Sequence, residues 1–345
     1  MLGLTLTLGL LLIVMCLDCG ETATGLGEEG LPEQLRNWLP ELTRPPDFEQ
    51  FWQETLAELS SIAPEVRIEY AADQSTEDYD CFDIGYLSLG KRVVRGWLTV
   101  PTGEGPFPVA VYYHARGGNR KILRPRPGLA AVSISWRGGS EEPEPPGWDI
   151  TGIEDPHRYV WRAMIAHSER ICYLVERMPG VDPERMGLVG FSMGGAIAMV
   201  VGGLLKDKVK FISTTAPGPG YWFLKDGTPS GSQGTILSLL DFINERPDHA
   251  DIVRRTVSYF EAMNFAPDVT APTFMSVGLK DVYCTPEMTL GIYNHLRCPK
   301  RLAVFAEGGH GNGGGMEQSR ELGERFVEEV LFSSTSEALA TAPTP

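Results

Sequence analysis

The sequence is short of positive charge. Its 345 residues carry 30 Lys and Arg against 45 Asp and Glu, which gives a formal net charge of -15. No basic stripe is present that could neutralise the phosphates of DNA or RNA, and the same charge disfavours binding to anionic membrane surfaces. We therefore expect no nucleic acid partner, whereas a neutral small molecule stays compatible with the composition.

Cysteines are also few, and they lack the spacing of a metal site. Of the six, Cys16 and Cys19 lie near the N-terminus, and four are spread over the rest of the chain: Cys81, Cys172, Cys284 and Cys298. A chain of this length folds without disulfides, so we interpret these four as buried thiols, with two disulfides as the alternative. The sequence predicts no metal and no organic cofactor.

The N-terminal apolar run lacks the positive charge that usually precedes a secretory signal. Residues 2–17 are almost entirely apolar, which is short for a membrane span and typical of the apolar part of a signal peptide. We predict a signal peptide over residues 1–24 and export to the periplasm or the extracellular space. The alternatives are an N-terminal membrane anchor, lipid attachment at Cys16 or Cys19, and a misassigned start codon.

The rest of the chain has the composition of one large domain. With 42% hydrophobic residues it can bury a full core, and one α/β domain is more economical at this length than two small ones. The sequence shows no internal repeat. We predict a linker over residues 25–45, one domain over residues 46–332, and a disordered tail rich in Ser, Thr, Ala and Pro over residues 333–345.

Strand-like and helix-like patterns alternate along this domain. Apolar residues at three- and four-residue spacing after Asp47 predict a first helix, and three alternating runs between residues 66 and 100 predict antiparallel strands. Later apolar runs alternate with helices, which predicts a mainly parallel sheet with helices on both faces. Residues 217–263 break this rhythm with a loop and two helical patterns, 236–244 and 250–263. We interpret them as a small cap insertion over the site.

The most specific motif is G-F-S-M-G at residues 190–194. An apolar strand-like run precedes it, and a helical pattern follows it. A G-x-S-x-G between a strand and a helix is the nucleophile elbow of the α/β-hydrolase fold, in which the serine lies on a strained turn between glycines. The motif therefore predicts that Ser192 is a nucleophile and that the chain has the α/β-hydrolase fold.

A serine hydroxyl needs a base, and the base needs an orienting acid. In this fold the acid and the histidine follow the nucleophile in that order, on loops after the last two strands. Asp281 and His310 occupy those positions, with Asp268 as the main rival for the acid. The other histidines fit less well, since they lie before the elbow, in the cap or on a helix: His114, His157, His167, His249 and His295.

Two further groups are expected around Ser192. The oxyanion needs two backbone N–H donors, which we assign to Met193 and, in the loop at residues 114–118, to Arg116, with the amide of Ala115 as the alternative. For the guanidinium of Arg116 we expect pairing with a surface acid, with a substrate carboxylate as the alternative. Trp222 and Phe223 in the cap are candidates for binding substrate, with packing under the cap as the alternative.

Together with these motifs, the chain resembles the acetyl xylan esterase and cephalosporin-C deacetylase family over nearly its whole folded length. The stretches that carry the resemblance are 46–52 (PDFEQFW), 181–185 (VDPER), 259–260 (YF), 264–266 (NFA), 276–281 (SVGLKD), Cys284, Pro286 and 293–296 (YNHL). Where the family has RGQ, GxSQG, His-Glu and a loop beginning His-Gly-Tyr, this chain has R-G-G at 137–139, Met193, Gly311 and H-A-R at 114–116.

The resemblance implies the α/β-hydrolase fold, ester hydrolysis and a homo-oligomer, often a ring-like hexamer. We therefore predict a serine carboxylesterase acting through an acyl-enzyme on small esters, first of all acetyl esters on carbohydrate. One alternative is a serine peptidase of the prolyl-oligopeptidase type, although the residues before Ser192 show no propeller repeat. The other is a hydrolase-like protein that binds glycan without turnover.

Overall fold

A computed structural model describes residues 27–137, 145–311 and 315–332. The predicted signal peptide and tail lie outside these ranges. Within them, none of the helices has the length and apolar character that crossing a membrane would require.

One mixed sheet organises the described chain. Its nine strands are β1 Arg67–Tyr70, β2 Tyr79–Ser88, β3 Arg92–Pro101, β4 Phe107–Tyr113, β5 Ala130–Ile134, β6 Val181–Phe191, β7 Phe211–Thr215, β8 Thr273–Gly278 and β9 Lys300–Phe305. They lie in the order β1-β2-β3-β5-β4-β6-β7-β8-β9. The pairs from β1 to β5 are antiparallel, and those from β5 to β9 are parallel. The predicted antiparallel edge beside a parallel sheet is thus confirmed.

Helices cover both faces of this sheet. The α-helices of the described residues are α1 Glu33–Arg36, α2 Phe48–Ser61, α3 Val160–Leu174, α4 Met193–Leu205, α5 Thr235–Glu245, α6 Ala250–Ser258, α7 Ala262–Phe265, α8 Pro286–His295 and α9 Gly315–Phe332. The largest apolar cluster includes α3 and α4. A second cluster joins Phe326 of α9 to Phe211 and Phe274 on the other face. This arrangement is the predicted α/β-hydrolase fold.

Two strands in the parallel part of the sheet are buried on both faces. Every residue of β5 and of β8 is buried, and such strands need helices on both sides. Helix α4 is apolar nearly all round, and all of its residues except Leu204 are buried. A helix of that kind is stable only inside a core, and it therefore fixes the residue that precedes it, Ser192, at a buried position.

The segment before the predicted domain packs against it. Of the linker predicted at 25–45, the described residues begin at Gly27, whose N–H bonds to the carbonyl of Leu302 in β9. The side chain of Asn294 donates to the carbonyl of Trp38. The backbone N–H of Thr43 donates to Asn264. These contacts attach residues 27–45 to β9, α8 and α7.

The second half of the cap-like segment contains two short helices where one was expected. The pattern over 250–263 predicts a single helix, but α6 ends at Ser258 and α7 begins at Ala262. Glu261 between them has extended backbone angles, φ -72° and ψ 123°. This break turns the Glu261 carboxylate into the core, where it accepts a hydrogen bond from the backbone N–H of Trp222 at 2.7 Å.

Candidate active site

Ser192 lies on the turn that joins β6 to α4. Its backbone angles are φ 56° and ψ -124°, a conformation that a residue with a side chain adopts only under strain. The flanking glycines make the turn possible. A Cβ on Gly190 would lie 2.2 Å from the carbonyl oxygen of Gly194, and one on Gly194 would lie 2.0 Å from that of Tyr113. The predicted strand–turn–helix context of the motif is present.

The three residues predicted as a triad are in hydrogen-bond contact. Oγ of Ser192 lies 2.9 Å from Nε2 of His310. Nδ1 of His310 lies 2.8 Å from Oδ2 of Asp281. The rival acid, Asp268, is elsewhere and pairs with Arg44. The arrangement lets the serine proton move to the histidine while the carboxylate holds the ring. The catalytic roles themselves stay predictions.

The loop after β8 determines which way Asp281 points. Its other oxygen, Oδ1, accepts the backbone N–H groups of Tyr283 and Cys284, each at 2.9 Å. The side chain of Asp281 has no exposed surface. With Oδ1 occupied by the loop, Oδ2 faces His310. These three hydrogen bonds leave neither oxygen of the buried Asp281 side chain without a partner.

Two rings hold His310 in place. The ring of Phe191 stacks on it at a centroid distance of 5.1 Å, and the ring of Tyr283 lies at 5.3 Å with a tilt of 46°. The side chain of His310 is 18% exposed. It can therefore exchange a proton with a substrate in the cavity while its orientation stays fixed by Asp281 and the two rings.

The loop after β4 lies beside the elbow, as expected for the oxyanion site. Gly194 packs against the carbonyls of Tyr113 and His114. Met193 and Arg116 line the same cavity as Ser192. His114 is not among the residues that line this cavity. Its Nδ1 bonds to the carbonyl of Ala115 at 2.8 Å, and burial lowers the pKa of this histidine to about 4. The oxyanion assignment to the two amides stays a prediction.

The guanidinium of Arg116 pairs with a buried acid, not with a surface acid as expected. Nη2 lies 3.0 Å from Oδ2 of Asp149, whose side chain has no exposed surface. Nη1 donates to Oγ1 of Thr235 in α5 at 3.3 Å. Ser238, also in α5, donates to Asp149 at 3.2 Å. This network fastens the cap-like segment to the loop at the predicted oxyanion site, and the sequence carries no signal for Asp149.

A cavity of about 460 Å³ opens beside the serine. Its lining is largely apolar, with few polar groups: Arg116, Gly117, Ser192, Met193, Gly218, Pro219, Trp222, Gln233, Gly234, Thr235, Ile236, Tyr283, Cys284, Met288 and His310. Of the two aromatic residues proposed for substrate binding, Trp222 lines the cavity. Phe223 is not among its lining residues, but is buried under the guanidinium of Arg254 at 5.7 Å.

Cys284, one of the four predicted buried thiols, lies beside the nucleophile. Its Sγ lies 3.7 Å from Oγ of Ser192. Burial, together with the charge of Asp281, raises the pKa of this thiol to about 12. All four predicted thiols are free, and Cys81, Cys172 and Cys284 are buried as predicted, whereas Cys298 is only partly buried. The described residues hold no group of three or more His, Cys, Asp or Glu side chains suited to a metal ion.

Comparison with known proteins decides between the families that share this fold. Residues 30–324 match the sequence model of the family described as acetyl xylan esterase (AXE1). The chain belongs to the acetyl xylan esterase family. The family consists of carboxylic ester hydrolases, and the match confirms the resemblance found in the sequence. Two of the departures from its motifs, Met193 and Gly311, directly adjoin Ser192 and His310.

The chain is also similar to individual proteins and solved structures. The chain is 22% identical to the acetyl esterase Axe7A of Xylanibacter ruminicola over 79% of its own length, and spans 64% of that protein. An acetyl xylan esterase from Paenibacillus sp. R4 has the same fold with a TM-score of 0.77 and 28% identity, over 86% of this chain and 99% of the other. Acetyl xylan esterase 1 from Thermoanaerobacterium sp. JW/SL YS485 gives a TM-score of 0.75 at 20% identity, covering 88% and 99%.

Proposed function

We propose that the protein is a serine carboxylesterase that removes small acyl groups, acetyl first of all, from carbohydrate. The observation that carries this proposal is the hydrogen-bonded chain from Ser192 through His310 to Asp281 at the wall of a cavity. Membership of the acetyl xylan esterase family supports the choice of ester and alcohol.

Acylation starts when Oγ of Ser192 attacks the ester carbonyl and gives its proton to Nε2 of His310. The histidine, now cationic, keeps its Nδ1–H bonded to the Asp281 carboxylate, which stabilises the charge without taking the proton. The carbonyl oxygen becomes an oxyanion held by the backbone N–H groups of Met193 and Arg116. Nε2 then protonates the oxygen of the leaving alcohol, and the acyl group stays on Ser192.

Deacylation uses the same groups in reverse. His310 takes a proton from a water molecule as that water attacks the acyl carbon, and the tetrahedral intermediate returns to the oxyanion site. When the intermediate collapses, Nε2 returns the proton to Oγ of Ser192, and the carboxylic acid leaves. No net proton is consumed by the protein, so each turnover restores the starting hydrogen bonds.

A substrate panel tests the proposal. The purified protein is assayed with three substrates: acetylated xylo-oligosaccharide, the butyryl ester of the same sugar, and a peptide with an internal proline residue. We expect acetyl turnover well above butyryl turnover and none on the peptide. Peptide cleavage without ester cleavage would favour the peptidase alternative, and saccharide binding without any hydrolysis would favour the glycan-binding alternative.

Export and assembly are part of the proposal. The apolar run at residues 2–17 supports a cleaved leader, and a reporter fused to residues 1–30 should be found outside the cytoplasm. Retention of the reporter inside the cell would overturn export.

The homo-oligomer is tested by light scattering on the purified protein, where a mass near that of one chain, 37.9 kDa, would contradict it.

A further inference from the structure

We propose that Tyr283 forms the subsite for the leaving group and stacks on the ring of a sugar. The inference rests on the proposed function, because it deepens the esterase site on the alcohol side. Tyr283 lies in the loop after β8 that carries Asp281, and no sequence motif indicates it.

The residues that line the cavity differ in exposure. Five of them are almost completely buried: Trp222 at 0%, Met193, Ile236 and Met288 at 2%, and Cys284 at 5%. Tyr283, by contrast, is 49% exposed, and Ser192 itself is 8% exposed. A buried apolar lining suits a small acyl group, and an exposed aromatic residue at the same cavity suits an alcohol that extends into solvent.

The proton path also determines where the alcohol lies. Nε2 of His310 must protonate the leaving oxygen, so the group attached to that oxygen lies on the side of His310. The ring of Tyr283 is 5.3 Å from the ring of His310. The sugar is the alcohol part of the ester that Ser192 attacks. It therefore passes beside Tyr283 as it enters and leaves.

Tyr283 is held firmly enough to act as a platform. Its backbone N–H donates to Oδ1 of Asp281 at 2.9 Å. On the cap side, a Cβ built on Gly234 would lie 3.6 Å from Cδ1 of the tyrosine ring. The ring is thus supported by His310 and by the start of α5, while about half of the residue faces solvent.

The chemistry of this rim fits a saccharide. An exposed aromatic ring gains free energy by covering the apolar C–H face of a pyranose, and Tyr offers this area with little loss of side-chain freedom. Gln233 and Arg116 line the same cavity and are exposed, so an amide and a guanidinium are at hand for hydroxyl groups. The alternative role for Tyr283 is to shield His310 without contacting the sugar, and the two roles predict different kinetics.

The experiment compares two acetyl esters in each variant: an acetylated xylo-oligosaccharide and ethyl acetate. The measured quantity is the kcat/KM value for the oligosaccharide divided by the kcat/KM value for ethyl acetate. Tyr283→Ala should lower this ratio about tenfold, mainly through KM for the oligosaccharide. Tyr283→Phe and Tyr283→Trp should keep it within about threefold, because each retains an aromatic face.

The control is Val282→Ala. Val282 is 58% exposed in the same loop and is not among the residues that line the cavity, so this variant should keep the wild-type ratio. If Tyr283→Ala lowers both substrates in the same proportion, the tyrosine only shields His310, and the inference is overturned while the esterase stands. If the wild-type protein hydrolyses neither ester, the proposed function and the inference both fail. Circular dichroism of each variant checks that it is folded.

Discussion

His310 and Asp281 are joined by a hydrogen bond of 2.8 Å from Nδ1 to Oδ2, and the other carboxylate oxygen is held by two backbone N–H groups of its own loop. The acid is therefore oriented before a substrate arrives. Because Oδ2 faces Nδ1, the neutral histidine carries its proton there and leaves Nε2 free to accept the proton of Ser192.

Asp281→Asn should lower kcat by a factor of about 10⁴, the effect known for the same change in another serine hydrolase triad. The amide oxygen can keep both bonds to the loop, but its NH₂ group then faces Nδ1. The histidine is forced into the tautomer with its proton on Nε2, which cannot act as a base. The measurement is kcat on an acetyl ester.

Asp268→Asn is the matched control for that change. Asp268 pairs with Arg44 away from the cavity, so the variant should keep kcat within about twofold, as surface substitutions usually have small effects. A larger loss in Asp268→Asn than in Asp281→Asn would mean that the acid is misassigned.

Glu261 should lose its contribution to stability as pH rises from about 4.5 to about 7. Burial raises the pKa of this carboxyl to about 7 from its ordinary value of 4.5. Between these values the folded protein holds a proton that the unfolded chain releases, so the free energy of unfolding decreases with pH. Its contribution is complete below about 4.5 and is lost as pH rises through about 7.

Glu261→Gln removes that titration and tests the prediction. Denaturant unfolding at pH 5 and pH 8 should show a smaller pH-dependent loss in the variant than in the wild type, by on the order of 2 kcal/mol. Glu54→Gln, an exposed carboxyl in α2, is the control and should keep the wild-type difference. Identical pH dependence in Glu261→Gln and wild type would contradict the raised pKa.

Gly194→Ala should destabilise the protein by about 3 kcal/mol or more and abolish turnover, because the added Cβ collides with the carbonyl of Tyr113 and nothing flexible can yield. The comparison is Gly85→Ala in β2, where the nearest atom to an added Cβ is at 3.9 Å. That variant should stay within about 1 kcal/mol of wild type. Equal unfolding midpoints for the two variants would contradict the packing seen at the elbow.

The three buried thiols, Cys81, Cys172 and Cys284, should not react with alkylating reagents in the folded protein. Burial raises the pKa of Cys172 and Cys284 to about 12 and that of Cys81 to about 11. Iodoacetamide at pH 8 should therefore label the half-buried Cys298 first and the other three only after unfolding. Peptide mapping by mass spectrometry reads each site, and early labelling of Cys284 would contradict its burial.

Much of the site could be predicted because its order along the chain follows from the sheet. The elbow motif identifies the end of β6, and the last two strands of the chain, β8 and β9, end just before Asp281 and His310. Each of these residues is therefore located by a local pattern combined with the fold's rule of chain order. The same local patterns predict the strands and most helices.

The features that the sequence does not predict depend on contacts between distant parts of the chain. Asp149 binds Arg116 and the start of α5, which no periodicity indicates. The break after Ser258 occurs where the buried Glu261 binds Trp222, and this tertiary contact overrides a helical pattern. Phe223 and Trp222 are neighbours in sequence, yet only Trp222 lines the cavity. Which of two adjacent aromatic residues faces a cavity is decided by the packed cap.

Covalent labelling of the nucleophile tests the central claim most directly. The folded protein is treated with an organophosphonate that reacts with activated serines, and the labelled peptide is sequenced by mass spectrometry. The account predicts one equivalent of label on Ser192 with complete loss of acetyl ester hydrolysis, and neither label nor activity in Ser192→Ala. Hydrolysis at the wild-type rate by folded Ser192→Ala would contradict it.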